Sequence, residues 1–349
     1  VVKLHEKFMS RCIELAKKGL GSTYPNPLVG SVIVHEGKII GEGWHYKAGE
    51  AHAEVNAMKN VTNQNLLPKA TIYVSLEPCS HFGRTPPCAD RIISAGIKKV
   101  VVGSTDPNPE VNGRGIAKLK DAGLEVKVGI LQKQCETLNK RFYTFHKKKR
   151  PYIFLKWAQT EDGFIAPADR RKKKEPVWIT NDFSRQHVHK MRTEEVAILA
   201  GTNTVLDDNP SLTARYWKGT SPYRIVLDRS NRIPENAAVL DGSVPTLVIS
   251  GSSRPNTANL NYEVIDFSEP IAKQICDLLF KKEIQSMIVE GGARTLQTFI
   301  DEDLWDEAFV FQGPVNFGEG VGAPKISGML VSERTIKNDL LQHYLNQQP

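Results

Sequence analysis

Three separated residues constrain this chain more than anything else in it: His52, Cys79 and Cys88, arranged as His52-Ala53-Glu54, then Pro78-Cys79, then Cys88. One imidazole and two thiolates suit zinc, and a fold that sets all three on one ion must bring two helix starts and a strand end together. Three protein ligands leave the fourth tetrahedral position to water, whose pKa a bound zinc lowers towards about 7. Glu54 supplies the carboxylate such a site needs. In a helix starting near Ala51, His52 and Glu54 both point from the first turn into one site, and the carboxylate acts as general acid and base. The expected ligands of a single Zn2+ are therefore His52, Cys79 and Cys88, and the expected catalytic residue is Glu54. A purely structural zinc would need a fourth protein ligand, for which His81, between the cysteines, is the nearest candidate.

Around these residues strand and helix alternate. Phe8, Cys12, Leu15 and Ala16 recur at helical spacing before Gly19 and Gly21. Residues 29–34 and 38–43 read as strands about a His35-Glu36-Gly37 turn, 51–59 as a helix, 71–76 as a strand and 88–95 as a helix. Strand 100–103, helix 115–122 and strand 125–128 follow. The chain has 349 residues, beyond the roughly 250 to 300 that one core organises, so two domains are expected. The polar run Lys147 to Pro151 separates them, giving domains 1–146 and 150–349. A second series begins there, with strands 152–157, 196–200, 224–228, 246–250 and 287–290 and a helix over 185–193. The class is α/β in both parts.

Composition narrows the partners. No stretch approaches the roughly 20 apolar residues of a membrane span, and the first residues lead into a helical pattern without a secretory signal, so a cytoplasmic protein with no membrane partner is expected. Five cysteines in so long a chain do not form a disulfide framework; Cys12, Cys135 and Cys276 read as core residues. Much of the net charge of +7 sits in the runs 147–150 and 170–174, which read as solvated loops, so no nucleic-acid partner is expected.

Several segments of the first part, Pro25-Asn26-Pro27-Leu28-Val29-Gly30, Gly41-Glu42-Gly43-Trp44-His45, Gly49 to Glu54, Leu76 to Cys88 and Asp106-Pro107-Asn108-Pro109, resemble the bifunctional riboflavin biosynthesis deaminase-reductases. The eight residues between Cys79 and Cys88 set it apart from nucleoside and tRNA deaminases, which have two there. The resemblance implies a cytidine-deaminase-like three-layer α/β/α domain, and that Asn26, His45, His81 and Arg84 hold a pyrimidine and its ribose phosphate. In the second part Tyr152 to Lys156, Thr160-Glu161-Asp162-Gly163, Trp178-Ile179-Thr180, Thr204 to Pro210 and Val289-Glu290-Gly291-Gly292 resemble that family's reductase domain, which implies a dihydrofolate-reductase-like fold.

No G-x-G-x-x-G opens a helix after a strand, so a Rossmann site is not supported. Instead a strand ending at Glu290, two glycines and a helix from about Ala293 would offer backbone N–H groups to phosphate oxygens. The resemblance implies that Ala158, Trp178, Thr204 and the segment Gly292, Ala293, Arg294, Thr295, Leu296, Gln297 and Thr298 line NADPH. It likewise implies that Arg192, Asp208, Leu212, Arg215 and Glu290 meet a phosphorylated pyrimidine. The implied chemistry is loss of the 2-amino group from 2,5-diamino-6-ribosylamino-4(3H)-pyrimidinone 5′-phosphate, then reduction of ribosyl to ribityl, in a homo-oligomer. The sequence departs from the family at Arg170 to Val177, where a short Gly/Ser-rich loop is more usual; a basic loop there would attract phosphate. Two other readings compete: a base or nucleoside deaminase with an unrelated second domain, and a binding protein that has kept the folds without the chemistry.

Overall fold

The computed structural model describes residues 2–80, 86–109, 111–168 and 177–346. It divides into two compact units, Val1–Lys149 and Arg150–Pro349.

In the first unit the elements run α1 (Val2–Lys17), β1 (Gly30–His35), β2 (Lys38–Trp44), α2 (Ala53–Lys59), β3 (Thr71–Leu76), α3 (Cys88–Ser94), β4 (Lys99–Ser104), α4 (Arg114–Asp121), β5 (Glu125–Val128), α5 (Gln132–Leu138) and α6 (Lys140–Lys148). The strands form one sheet in the order β2-β1-β3-β4-β5. β1 pairs antiparallel with β2 and β3, whereas β3, β4 and β5 are parallel. Because successive strand residues face opposite sides, the β-branched runs supply two cores at once. Val32, Val34, Tyr73 and Val101 pack under α1 and α5. Ile33, Ile72, Val74, Val100 and Val102 pack on the other face with residues of α2, α3 and α4. Cys12 and Cys135 lie buried in the first of these cores, as their apolar surroundings in the sequence predict.

The second unit runs β6 (Tyr152–Thr160), β7 (Phe164–Pro167), α7 (Asp182–Glu194), β8 (Ala197–Gly201), α8 (Thr202–Asp208), β9 (Tyr223–Leu227), β10 (Thr246–Ser250), β11 (Leu260–Val264), α9 (Ile271–Lys281), β12 (Ser286–Val289), α10 (Ala293–Asp301), β13 (Glu307–Gly313), β14 (Gly320–Gly322), β15 (Met329–Ile336) and β16 (Asp339–Leu345). Nine strands make one sheet in the order β11-β10-β9-β8-β12-β6-β13-β16-β15. The strands from β11 to β13 run parallel, and β16 and β15 close that side antiparallel. Residues of α9 and α10 cover one face and residues of α7 and α8 the other. Ligand sites in such sheets form at the carboxyl ends of parallel strands, which here directs attention to the ends of β8 and β12 and to β6 beside them.

Candidate functional sites

The metal-ligand residues meet. The His52 imidazole and the Cys79 and Cys88 thiols offer ligand atoms that all lie within 4.8 Å of one another. His52 Nδ1 stands 3.6 Å from Cys79 Sγ and 3.3 Å from Cys88 Sγ. Zinc bonds of about 2.3 Å to sulfur and about 2.0 Å to nitrogen, opened at a tetrahedral angle, place N and S about 3.5 Å apart, so the three residues fit zinc. Each ligand is held by its element. His52 is the N-cap of α2, extended at φ −69° and ψ 164°, and its side chain makes no capping bond. The expected helix start at Ala51 is thus corrected: the imidazole can turn to the cysteines because its backbone stands outside the helix. Cys79 follows the end of β3, and Cys88 opens α3 with its N–H donating to Cys79 Sγ at 3.3 Å.

Glu54, in the first turn of α2, is only 3 % exposed. Burial pushes its carboxyl up to about 7, with His52 opposing and Cys79 adding to the rise. Cys79 is drawn down to about 4, first by the Cys88 thiol and then, against burial, by His52. The site therefore carries a ready thiolate beside a carboxyl able to hold or release a proton near neutrality.

Of the four residues expected to bind the deaminase substrate, Asn26 and His45 come together and His81 and Arg84 lie outside the described residues. Asn26 Nδ2 is 3.0 Å from His45 Nε2, and His45 Nδ1 is 3.1 Å from the Ala51 carbonyl. Nδ1 therefore carries the proton and Nε2 accepts from the amide. The His45 ring meets the His52 ring edge-on, with centroids 5.3 Å apart.

In the second unit Arg192, from the last turn of α7, forks onto Glu290 just past β12, with Nε to Oε1 at 3.1 Å and Nη2 to Oε2 at 2.7 Å. Its Nη1 donates to the Thr213 carbonyl, and Arg215 donates to the Thr213 hydroxyl, so both arginines share one neighbourhood. Lys156 reaches the same carboxylate from β6, with Nζ 3.9 Å from Glu290 Oε2. Burial favours a neutral Glu290, but Arg192 and Lys156 outweigh it and hold the group down at about 2. Burial lowers the Lys156 pKa, against the pull of Glu290 and with help from Arg192. Asp208 ends α8, and Leu212, nearby in sequence, is buried in the core.

The expected cofactor residues divide. Thr204 and Gly292 meet, the Gly292 N–H donating to Thr204 Oγ1 at 2.8 Å. That N–H is thus engaged within the protein. The first intrahelical bond of α10 runs from Leu296 N to Gly292 O, so the N–H groups of Ala293 to Thr295 form the helix's open end. Leu296 turns into the core, Gln297 bonds Asp301, and Thr298 bonds the Arg294 carbonyl, which leaves Gly292 to Thr295 as the part able to face a phosphate. Ala158 lies on β6, two residues beyond Lys156. Trp178 is 59 % exposed under the Arg185 guanidinium and lines a groove of about 450 Å³ with Asp182, Phe183, Gln186 and Tyr216.

Two family profiles cover these units: the cytidine and deoxycytidylate deaminase zinc-binding region over residues 2–104, and the RibD C-terminal domain over residues 151–345. The riboflavin biosynthesis protein RibD of Aquifex aeolicus is 44 % identical over 324 residues, covering 91 % of this chain and 89 % of its own. The chain belongs to the RibD family. The RibD of Actinobacillus pleuropneumoniae is 49 % identical over 82 % of this chain and 77 % of its own. Among solved structures, the diaminohydroxyphosphoribosylaminopyrimidine deaminase/5-amino-6-(5-phosphoribosylamino)uracil reductase of Thermotoga maritima superposes with a TM-score of 0.89 at 37 % identity, covering 99 % of each chain. RibD of Acinetobacter baumannii superposes with the same TM-score at 34 % identity, covering 100 % of each. The fold is accordingly a cytidine-deaminase-like domain followed by a RibD reductase domain, and the chain is a bifunctional deaminase and reductase of riboflavin biosynthesis.

With the RibD family established, two residues stand out that sequence reasoning assigned no role. Lys156 was visible as a lone cation inside the apolar run Tyr152 to Trp157, and a strand buried on both faces places such a charge only beside a partner. Asn139, 3 % exposed, accepts from Leu28 N at 2.8 Å and donates to Leu28 O at 2.9 Å, mimicking a neighbouring strand and fixing the Asn26 loop. No sequence pattern marks it, because its partner is 111 positions away.

Proposed function

We propose that the first unit removes the exocyclic 2-amino group of 2,5-diamino-6-ribosylamino-4(3H)-pyrimidinone 5′-phosphate by hydrolysis, and that the second reduces the ribosyl group of the product to ribityl. What carries this reading is the meeting of His52, Cys79 and Cys88 with a buried Glu54 at their side. The three would hold zinc, which supplies a Lewis acid and a hydroxide source at neutral pH. Glu54 takes the proton released when water is activated and delivers it to the ring nitrogen; it then takes the second proton from the hydroxyl added to the ring carbon and passes it to the departing amine as the carbonyl forms. The Asn26 and His45 pair orients the heterocycle, and His81 and Arg84 belong to the same proposal as pyrimidine and phosphate contacts. When bound, NADPH supplies a hydride. Reduction to ribityl requires the C1′–O4′ bond to open, and Lys156 would hold the proton that O4′ then takes. Arg192, Arg215, Asp208, Leu212 and Glu290 form the substrate side of this second site. Ala158, Trp178, Thr204 and Gly292 to Thr295 form its cofactor side, chiefly through the open helix end. The reading includes a small phosphorylated pyrimidine as substrate in preference to nucleic acid, and a cytoplasmic homo-oligomer. No helix among the described residues is long and apolar enough to cross a membrane.

The test is to incubate the purified chain with the diaminopyrimidinone phosphate, with and without NADPH. Ammonia release without NADPH, and a ribityl product only with it, are expected. Glu54→Gln should retain about one zinc per chain yet release no ammonia, whereas Cys88→Ser should lose both. A wild-type chain that binds no zinc would overturn the deaminase reading.

A further inference from the structure

Glu77, between the last residue of β3 and the ligand-bearing Pro78-Cys79, is a buried carboxylate that the chemistry above leaves unused. It is 4 % exposed and accepts four backbone N–H bonds. Oε2 takes Asp106 N at 3.2 Å and Gly113 N at 3.0 Å, and Oε1 takes Gly115 N at 2.9 Å and Ile116 N at 3.2 Å. These donors belong to the loop after β4 and to the first turn of α4. The N-cap of that helix is Gly113, which has no side chain to cap it, so a carboxylate from a neighbouring strand does so instead. The contact is close enough to need a glycine: a Cβ on Gly115 would lie 2.0 Å from the Pro78 carbonyl oxygen. Glu77 and Pro78 are thus clamped to α4 from both sides, and the next residue is Cys79. Further support comes from α3, whose Ala89 N–H donates to Cys79 O and whose Cys88 N–H donates to Cys79 Sγ.

We infer that Glu77 is a positioning residue for the metal centre: by anchoring the Pro78-Cys79 turn to the capped end of α4, it sets the Cys79 thiolate where His52 and Cys88 can share an ion with it. The inference rests on the zinc reading. A charged acceptor suits the task because all four partners are donors, and bonds to a carboxylate are shorter and stronger than bonds to a neutral amide. Glu77→Gln keeps the shape but turns one acceptor into a donor pointed at two N–H groups.

The experiment compares full-length wild type, Glu77→Gln and Leu119→Ala by chelator competition for zinc and by the visible absorption of the cobalt(II)-substituted proteins. Leu119, one turn further along α4, is fully buried and makes none of the four bonds to Glu77, so its truncation lowers stability while leaving the carboxylate and its donors in the chain. Glu77→Gln should weaken zinc binding on the order of tenfold and shift the cobalt bands, while Leu119→Ala leaves both unchanged. Unaltered affinity and spectrum in Glu77→Gln, or an equal change in Leu119→Ala, would reduce Glu77 to a helix cap. A wild type without zinc would sink the metal reading instead, so the two failures are distinguishable. Amide hydrogen exchange of the wild type covers the case in which Glu77→Gln does not fold. Coupling is reciprocal, so stripping zinc should speed exchange at Gly113, Gly115 and Ile116, and unchanged protection there overturns the inference.

Discussion

At the scale of single residues the two sites differ in how they show themselves in a sequence. His52, Glu54, Cys79 and Cys88 are legible because a metal demands particular residue types, and few other arrangements of histidine, glutamate and cysteine make sense. Lys156 and Glu290 are ordinary charged residues until the sheet sets β6 beside β12, with Leu155 opposite Val289. Their pairing then has consequences that can be measured. Lys156→Met should lower the rate of the reductive step on the order of a hundredfold or more, the usual worth of a positioned proton donor, without changing ammonia release; equal reductase rates in the two proteins would remove Lys156 from the chemistry. Glu290 is held at about 2 against an ordinary 4.5. A carboxylate with a depressed folded pKa stabilises the fold above the unfolded value and loses that contribution as pH falls through the folded one. The shift corresponds to on the order of 3 kcal/mol, so Glu290→Gln should be the less stable protein at pH 7. In urea titrations the gap to wild type should close between about pH 4.5 and pH 2, and a gap independent of pH would contradict this assignment.

At the scale of elements, β-branched runs and glycine or proline stops reveal the parallel strands, and most were placed to within a residue or two. What the sequence does not display is how the nine-stranded sheet ends. β15 and β16 interrupt their apolar residues with polar ones, among them Ser332-Glu333-Arg334-Thr335 and Gln342-His343, because β15 is an exposed edge and β16 is only half-buried. Their alternation is too weak to separate strand from loop. The His52 cap shows the opposite limit. The residue type was plain and its backbone state was not, since a cap and a first-turn residue differ by one φ/ψ pair. Gly291 is where an element depends on one position. A Cβ there would lie 2.4 Å from Gly201 N and 2.7 Å from Ala200 Cα, both backbone atoms of or next to β8. Gly291→Ala must therefore push the turn before α10 away from β8, at about 1–3 kcal/mol. It should weaken NADPH binding in a fluorescence titration while zinc content stays at the wild-type level. Wild-type cofactor affinity in that variant would place the phosphates elsewhere.

At the scale of the whole molecule, each hydrophobic core belongs to one unit. The two cores of the first are built from residues before 140, and the two of the second from residues after 150. A chain whose units each have cores of their own can in principle be divided, and the place to divide it follows from Arg150. Its guanidinium bonds both oxygens of Asp306, at 2.6 and 2.8 Å, and the two side chains are 7 % and 9 % exposed. Asp306 also accepts from Ile153 N, so the pair fastens the start of β6 to the segment leading into β13. The basic run over 147–150 that marks the boundary in the sequence thus conceals one residue that is not a solvated surface cation. Leaving Asp306 buried without its arginine should cost on the order of 3 kcal/mol or more, because an uncompensated buried charge loses its Coulombic partner and keeps its desolvation penalty. Two pieces of the second unit test this: one beginning at Lys149 and one at Pro151. The longer piece should fold and reduce the deaminated pyrimidine with NADPH on its own. The shorter should melt several degrees lower. If both pieces melt together at neutral pH, the Arg150 pair contributes nothing and the boundary is set by α6 alone.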